Sequence, residues 1–68
     1  MRVRDSRQKL RVSQSRLAAL SGVSRFKICL YERGDVPLTP DELERLRVAL
    51  QVEADRQRAE LAEFAILA

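Results

Sequence analysis

Residues 13–34 read SQSRLAALSGVSRFKICLYERG and contain the signals that decide the fold. Ser13 is a good N-cap because its hydroxyl can accept from an open amide of the first helical turn. Gly22 can adopt the left-handed conformation that ends a helix. Ser24 can cap a second helix, which closes before Gly34. The stretch therefore predicts two short helices joined by a tight turn.

The second of these helices, residues 24–33, has one face with no obvious packing partner. Helical periodicity allows Ile28 and Tyr31 to face the core. The same periodicity turns Phe26, Leu30 and Arg33 to the opposite side. Two of those three side chains are apolar, which is unusual for a solvated face. This side of the helix is therefore the candidate binding surface.

The composition limits what the chain can be. Its 68 residues allow one domain, 1–68, and 46% hydrophobic with 34% charged residues is typical of a packed, mostly helical body. Cys29 is alone, which excludes an internal disulfide framework, and the absence of His leaves too few ligands for a structural zinc site. No long apolar run or signal-type core is present, so we expect a cytoplasmic protein with no membrane partner.

The charge is divided unevenly along the chain. Residues 1–34 hold nine basic and two acidic side chains, a net +7, whereas residues 35–68 hold four basic and eight acidic ones, a net −4. A solvated charged surface would explain a basic excess alone. Its coincidence with the helix pair favours a polyanion as the partner of the basic half.

Three further helices are expected around this pair. A short first helix ends near Leu10, and Thr39, Pro40 and Glu42 supply the cap, first-turn proline and N3 acid of a helix at 40–50. After that helix the chain contains no Gly or Pro, so the helix could run on or break. We expect a break near Val52, which is interpreted as a core residue, and a C-terminal helix at 53–67.

Several spacings in residues 7–34, and more loosely in 3–52, resemble the helix-turn-helix domain of the Cro/C1-type repressors, the XRE family. The matching positions are Arg7, Val12, Ser13, Gln14, Leu17, Ala18, Gly22, Val23, Ser24, Ile28, Tyr31, Glu32 and Gly34. The resemblance implies an all-α, compact five-helix bundle of the lambda repressor-like type, with the helix 24–33 in the major groove of DNA.

The resemblance also implies roles for individual side chains. Base-contacting positions fall on Arg25, Phe26, Lys27 and Leu30, where Arg25 can donate to guanine and the apolar pair can contact thymine methyl groups. Lys27 can also neutralise phosphate.

Phosphate contacts fall on Gln14, Arg11 and Arg33. Arg11 stands where the family often has Gly, which predicts a distorted or longer turn. By position, Arg7 and Glu32 match a partly buried ion pair of the family.

A single helix-turn-helix contacts few base pairs, so we expect a homodimer on a pseudo-palindromic site. The candidate interface is the apolar part of the last helix: Leu61, Phe64, Ala65 and Leu67. The alternative is that this stripe covers the core.

The expected function is sequence-specific binding of double-stranded DNA by a small transcriptional regulator, a repressor. No cofactor, metal or small-molecule ligand is implied. An enzyme is not expected, because the sequence has no His and no Gly-rich phosphate loop, and no paired carboxylates are expected in a cleft. The alternative is a protein-interaction module of the same fold, in which Phe26 and Leu30, with Cys29 beside them, form an apolar docking patch.

Overall fold

The computed structural model describes the backbone of residues 2–67 and the side chains of residues 2–65. Within that range the chain forms four helices and no strand: α1 Val3–Lys9, α2 Gln14–Ser21, α3 Arg25–Glu32 and α4 Pro40–Leu67. The predicted all-α class is confirmed, whereas the prediction of five helices is wrong.

The turn between α1 and α2 is tight and has one unusual residue. Arg11 adopts a φ of 57°, in the left-handed region that residues with a Cβ rarely occupy. The Arg11 amide donates to the Gln8 carbonyl at 3.0 Å, and the Val12 amide donates to the Arg7 carbonyl at the same distance. The distortion predicted at Arg11 is therefore a left-handed turn residue.

The turn between α2 and α3 follows from local chemistry. Ser13 caps α2 by accepting from the Arg16 amide at 3.0 Å, and Gly22 ends it with a φ of 75°. The Ser21 hydroxyl donates to the Leu17 carbonyl at 2.7 Å and accepts from the Val23 amide at 3.2 Å. Ser24 occupies the N-cap position of α3, but its side chain makes no capping hydrogen bond.

The core lies where α2 packs against α3 and α4, with α1 closing it from the other side. Leu17, Ile28 and Leu46 are its fully buried large side chains. The other buried apolar residues are Val3, Val12, Val23, Leu38, Ala49 and Leu50. Each of the four helices thus contributes at least one side chain, and the short α1–α3 pieces are stabilised by tertiary packing.

α4 begins with a capping box that the sequence predicts. The Glu42 amide donates to Thr39 Oγ1 at 3.1 Å, and the Thr39 amide donates to Glu42 Oε1 at 3.0 Å. These two reciprocal bonds satisfy donors that a helix start otherwise leaves open. The start of α4 at Pro40 agrees with the prediction.

α4 continues without the break predicted near Val52, so the separate helices at 40–50 and 53–67 are one helix. Val52 is 59% exposed and is not a core residue, because Glu53 takes the inward position instead. Gln51 Nε2 donates to Asp55 Oδ1 at 3.0 Å across the predicted break. Side-chain bonds of this spacing stabilise a continuous helix.

The 28 residues of α4 span roughly 42 Å at the usual helical rise, close to the 45 Å longest dimension of the molecule. Beyond Gln57, every side chain from residue 58 to residue 65 is exposed. Leu61 and Phe64 are 71% and 76% exposed, so they do not cover the core. No helix within residues 2–67 is long and apolar enough to cross a membrane.

Candidate nucleic-acid interface

The position of α3 is fixed by an ion pair to α1. Arg7 Nε donates to Glu32 Oε2 and Arg7 Nη2 donates to Glu32 Oε1, both at 2.9 Å. Arg7 Nη1 also donates to the Val12 carbonyl at 3.0 Å. The side chains are only 12% and 5% exposed. The structure thus brings together the two residues that the family resemblance pairs, at the C-terminal end of α3.

Gln14, the first residue of α2, joins this pair. Its Nε2 donates to Glu32 Oε1 at 3.1 Å, so one carboxylate ties α1, α2 and α3 together. Burial alone would raise the pKa of Glu32, but the hydrogen bonds from Arg7 and Gln14 outweigh it and lower the pKa. Glu32 is therefore a carboxylate at neutral pH. The start of α2 and the end of α3 are held in one geometry.

The outer face of α3, defined here as Arg25, Phe26, Lys27 and Leu30, has three exposed side chains and one that is partly covered. Phe26 is 72% exposed and Leu30 is half-buried. Arg25 is exposed and forms no ion pair with any described residue. On the inward side Ile28 is fully buried, as predicted, whereas Leu30, expected on the opposite side, is partly covered.

Lys27 differs from Arg25 in having an acidic partner. Lys27 Nζ donates to Glu42 Oε2 at 3.0 Å, and Glu42 is the acid of the α4 capping box. Hydrogen bonds from the Thr39 backbone and from Lys27 lower the pKa of Glu42. The bond joins the outer face of α3 to the start of α4.

Of the residues predicted to contact phosphate, Gln14 and Arg33 line the same surface pocket, and Arg11 lies in the turn before α2. Arg33 follows α3 and its Nε lies 3.2 Å from Asp35 Oδ2, so its charge is partly balanced by a neighbour. Arg11 is exposed in the turn before α2, near the helix start that carries Gln14. Backbone amides in the first turn of a helix have no intrahelical acceptor and attract anions. The α2 start therefore combines open amides with basic neighbours.

Most acidic side chains of residues 35–68 pair with basic side chains of α4 itself, and Glu42, Glu53 and Asp35 also pair with Lys27, Arg16 and Arg33, respectively. Ion pairs along α4 join Asp41 to Arg45, Glu44 to Arg47, Asp55 to Arg58 and Arg56 to both Glu53 and Glu60. By contrast, Arg2, Arg4, Lys9, Arg11 and Arg25 form no such pair within the described residues. All five belong to the basic half. The positive charge left for a ligand is thus carried by the helix-turn-helix half.

The sequence reasoning missed Glu53, which is buried in α4. Arg56 Nε donates to it at 3.0 Å, Gln57 Nε2 donates at 3.2 Å, and Arg16 of α2 lies 3.8 Å away. Gln57 Nε2 also reaches the Leu10 carbonyl at 2.8 Å. The inward spacing of Leu46 and Leu50 reaches positions 53 and 57 only in an unbroken helix, so the predicted break hid this signal.

The predicted interface residues whose side chains are described make no contact with the buried core. Leu61, Phe64 and Ala65 lie on the exposed end of α4, and the prediction for Leu67 falls outside the described side chains. Within the described residues, no group of His, Cys, Asp and Glu is arranged to hold a metal ion. The arrangement offers a rigid basic surface with an exposed aromatic side chain.

Comparison with known proteins agrees with this geometry. A family model described as a helix-turn-helix domain matches residues 1–61. Searches of curated proteins and of solved structures gave no match.

Proposed function

The chain belongs to the helix-turn-helix domain family, and from that premise we propose that it binds double-stranded DNA sequence-specifically, as a small transcriptional repressor. The observation that carries the proposal is the solvent-facing outer face of α3, with Arg25 free of acidic partners among the described residues and Phe26 72% exposed. A rigid helix of this kind fits the width of the major groove of B-DNA.

In this proposal α3 lies in the major groove and its first turns contact base edges. Arg25 donates two hydrogen bonds to O6 and N7 of a guanine, the commonest base-specific contact. Phe26 and Leu30 have no polar atoms to offer and contact thymine methyl groups. The Arg7–Glu32 pair keeps the helix at a fixed angle, so that these side chains reach the groove together.

Phosphate contacts in this proposal come from the start of α2 and from two arginines. Gln14 uses one hydrogen of its side-chain amide on Glu32, which leaves the second hydrogen for a phosphate oxygen. The first backbone amides of α2 donate beside it. Arg11 and Arg33 add charge on either side, and these contacts set the register of the protein on DNA.

The exposed end of α4 supports a two-fold dimer as part of the same proposal. Leu61 and Phe64 are each more than two-thirds exposed, and with Ala65 they continue the inward stripe of α4 past the core. A second copy that covers this stripe would remove the apolar surface from water. Two α3 helices related by a two-fold axis then read a pseudo-palindromic site.

The test is the salt dependence of binding to random-sequence duplex DNA. Several phosphate contacts predict a steep linear fall of log K against log salt, and Arg33→Ala should flatten the slope by about one unit. Arg25→Ala should instead weaken discrimination at one base pair of a selected site by about 1–3 kcal/mol. Arg58→Ala removes one positive charge from residues 35–68 and is the matched control. It is expected to leave the salt slope and the base discrimination unchanged.

One observation favours a second candidate, a protein-interaction module. Phe26 is a large aromatic side chain that is mostly exposed, and aromatic side chains are frequent in the hot spots of protein interfaces. In that case the outer face of α3 docks an apolar partner. Absence of any salt-sensitive DNA binding at low salt would exclude the DNA proposal and favour this one.

A further inference from the structure

The ion pair between Lys27 and Glu42 ties up a positive charge beside the proposed DNA-contacting side chains. Lys27 stands between Phe26 and Ile28, next to the side chains proposed to read bases, yet its charge is paired at 3.0 Å. The lysine side chain is 53% exposed and that of Glu42 is 18% exposed. A free lysine at this position would attract any phosphate backbone.

The carboxylate of Glu42 is held in place by bonds that do not involve Lys27. Its Oε1 accepts from the Thr39 amide at 3.0 Å while its Oε2 accepts from Lys27. An ordinary surface ion pair has to order two flexible side chains, and this cost removes most of its stability. Here the capping box has already ordered one of the two. Glu42 is therefore a fixed anion beside the outer face of α3.

Resting on the proposed DNA binding, we infer that Glu42 is a specificity-determining residue, which holds Lys27 away from phosphate and so weakens binding to non-specific DNA. Generic attraction to DNA grows with the number of cations free to neutralise phosphates. The pair with Glu42 removes Lys27 from that number. Arg25, without an acidic partner among the described residues, is left to read sequence.

Arg33 has a related arrangement at the other end of α3. Its Nε lies 3.2 Å from Asp35 Oδ2, but the two side chains are 67% and 47% exposed, and no other described side chain or amide bonds to the Asp35 carboxylate. Such a pair is easily opened by a phosphate. The two pairs therefore differ in kind, and only Glu42 is pre-ordered to compete with DNA.

The experiment compares Glu42→Gln with the wild type on a short random-sequence duplex over a salt series. Glutamine can still accept from the Thr39 amide and complete a capping box, but it carries no charge. We expect the slope of log K against log salt to steepen by about one unit. Between about 50 and 200 mM salt this corresponds to roughly a 3.5-fold larger loss of affinity than in the wild type.

The matched control is Glu44→Gln. Glu44 lies two residues further along α4, is exposed and pairs with Arg47 of its own helix, so the substitution changes net charge equally without freeing a residue of α3. We expect it to change the slope much less than Glu42→Gln. Lys27→Met in the Glu42→Gln background should restore the wild-type slope. Lys27→Met alone, which does not depend on the fold of the Glu42 variant, should leave the slope nearly unchanged.

The outcomes separate this inference from the proposed function. If the wild type binds DNA and the salt slopes of Glu42→Gln and Glu44→Gln are equal, Glu42 does not have this role, but the proposed DNA binding stands. A loss of a full unit of slope in Lys27→Met alone also overturns it, because Lys27 would then already contact phosphate. If neither the wild type nor Glu42→Gln binds duplex DNA at low salt, the proposed function and this inference both fall.

Discussion

Arg7 and Glu32 meet side-on, with two nitrogens of the guanidinium donating to separate carboxylate oxygens at 2.9 Å. This geometry is the strongest that an arginine and a carboxylate can form, because both bonds are charge-assisted and the planar groups fix each other's orientation. Gln14 adds a third donor to the same carboxylate. One acidic residue at the end of α3 therefore sets the position of three helices.

Glu32→Ala should unfold a large part of the population at room temperature. The substitution leaves the Arg7 charge nearly buried without a carboxylate, with only the Val12 carbonyl as acceptor, and breaking such a pair costs about 3–5 kcal/mol. That is comparable with the whole stability of a small domain. Chemical denaturation followed by circular dichroism measures the loss. The stability of Glu32→Gln, which keeps an acceptor, should lie between those of the wild type and Glu32→Ala. Glu63→Ala on the exposed end of α4 serves as control. A loss of stability below about 1 kcal/mol in Glu32→Ala would contradict the assignment.

Arg11→Gly should be more stable than Arg11→Ala. The two variants lose the same charge, but position 11 has a φ of 57°, which costs a residue with a Cβ about 1–2 kcal/mol. We expect a difference of about 1 kcal/mol in the free energy of unfolding, measured by urea denaturation. Gly34→Ala, at a φ of 83°, should lower the stability for the same reason. Equal stability of the two Arg11 variants would mean that the turn relaxes out of the left-handed region.

Glu53 should make the protein sensitive to acid in a defined range. Hydrogen bonds from Arg56 and Gln57 lower its pKa from 4.5 to about 2 in the folded state. The folded state therefore holds the proton less tightly than the unfolded chain does. The resulting stabilisation of the folded state is complete above about pH 4.5 and disappears as the pH falls towards 2.

Thermal melts from neutral pH downward check this. Glu53→Gln should have a lower Tm than the wild type at neutral pH, and the difference should shrink between pH 4.5 and about 2. Glu63→Gln is the control for removing an exposed carboxylate from the same helix. A constant difference across the range would show that Glu53 stabilises the fold through shape alone.

Local chemistry made much of the fold predictable from the sequence. Ser13, Gly22 and the box of Thr39 with Glu42 each act through bonds to amides within a few residues, so a short stretch contains both partners. The inward position of Ile28 followed from helical spacing in the same way. Where a helix begins or ends with its own cap, sequence is sufficient.

The length of α4 and the partners of its side chains could not be predicted from local sequence. Around Val52 neither a helix breaker nor a strong continuation signal exists, and the outcome depends on the inward direction of Glu53. Lys27 and Glu42 are 15 positions apart, and their contact follows from how α3 and α4 pack. Arg7 and Glu32, 25 positions apart, were paired only through the family resemblance. Tertiary contacts of this kind carry no local signature.

Replacing Leu61 and Phe64 together by Glu should abolish self-association and leave the fold intact. Both side chains are more than 70% exposed in the single chain, so a charge there disturbs no core contact. In a dimer that covers them, each contributes about 1.5–3 kcal/mol of apolar burial, which the charged variant loses.

Sedimentation over a range of concentrations measures the association, and circular dichroism monitors the fold. Val52→Glu is the matched control, because Val52 is 59% exposed on the same helix but points, by helical spacing, away from Leu61 and Phe64. It should associate as the wild type does. A wild-type protein that stays monomeric at high concentration would exclude the interface. An unfolded double variant would mean that the end of α4 folds back onto the core in solution.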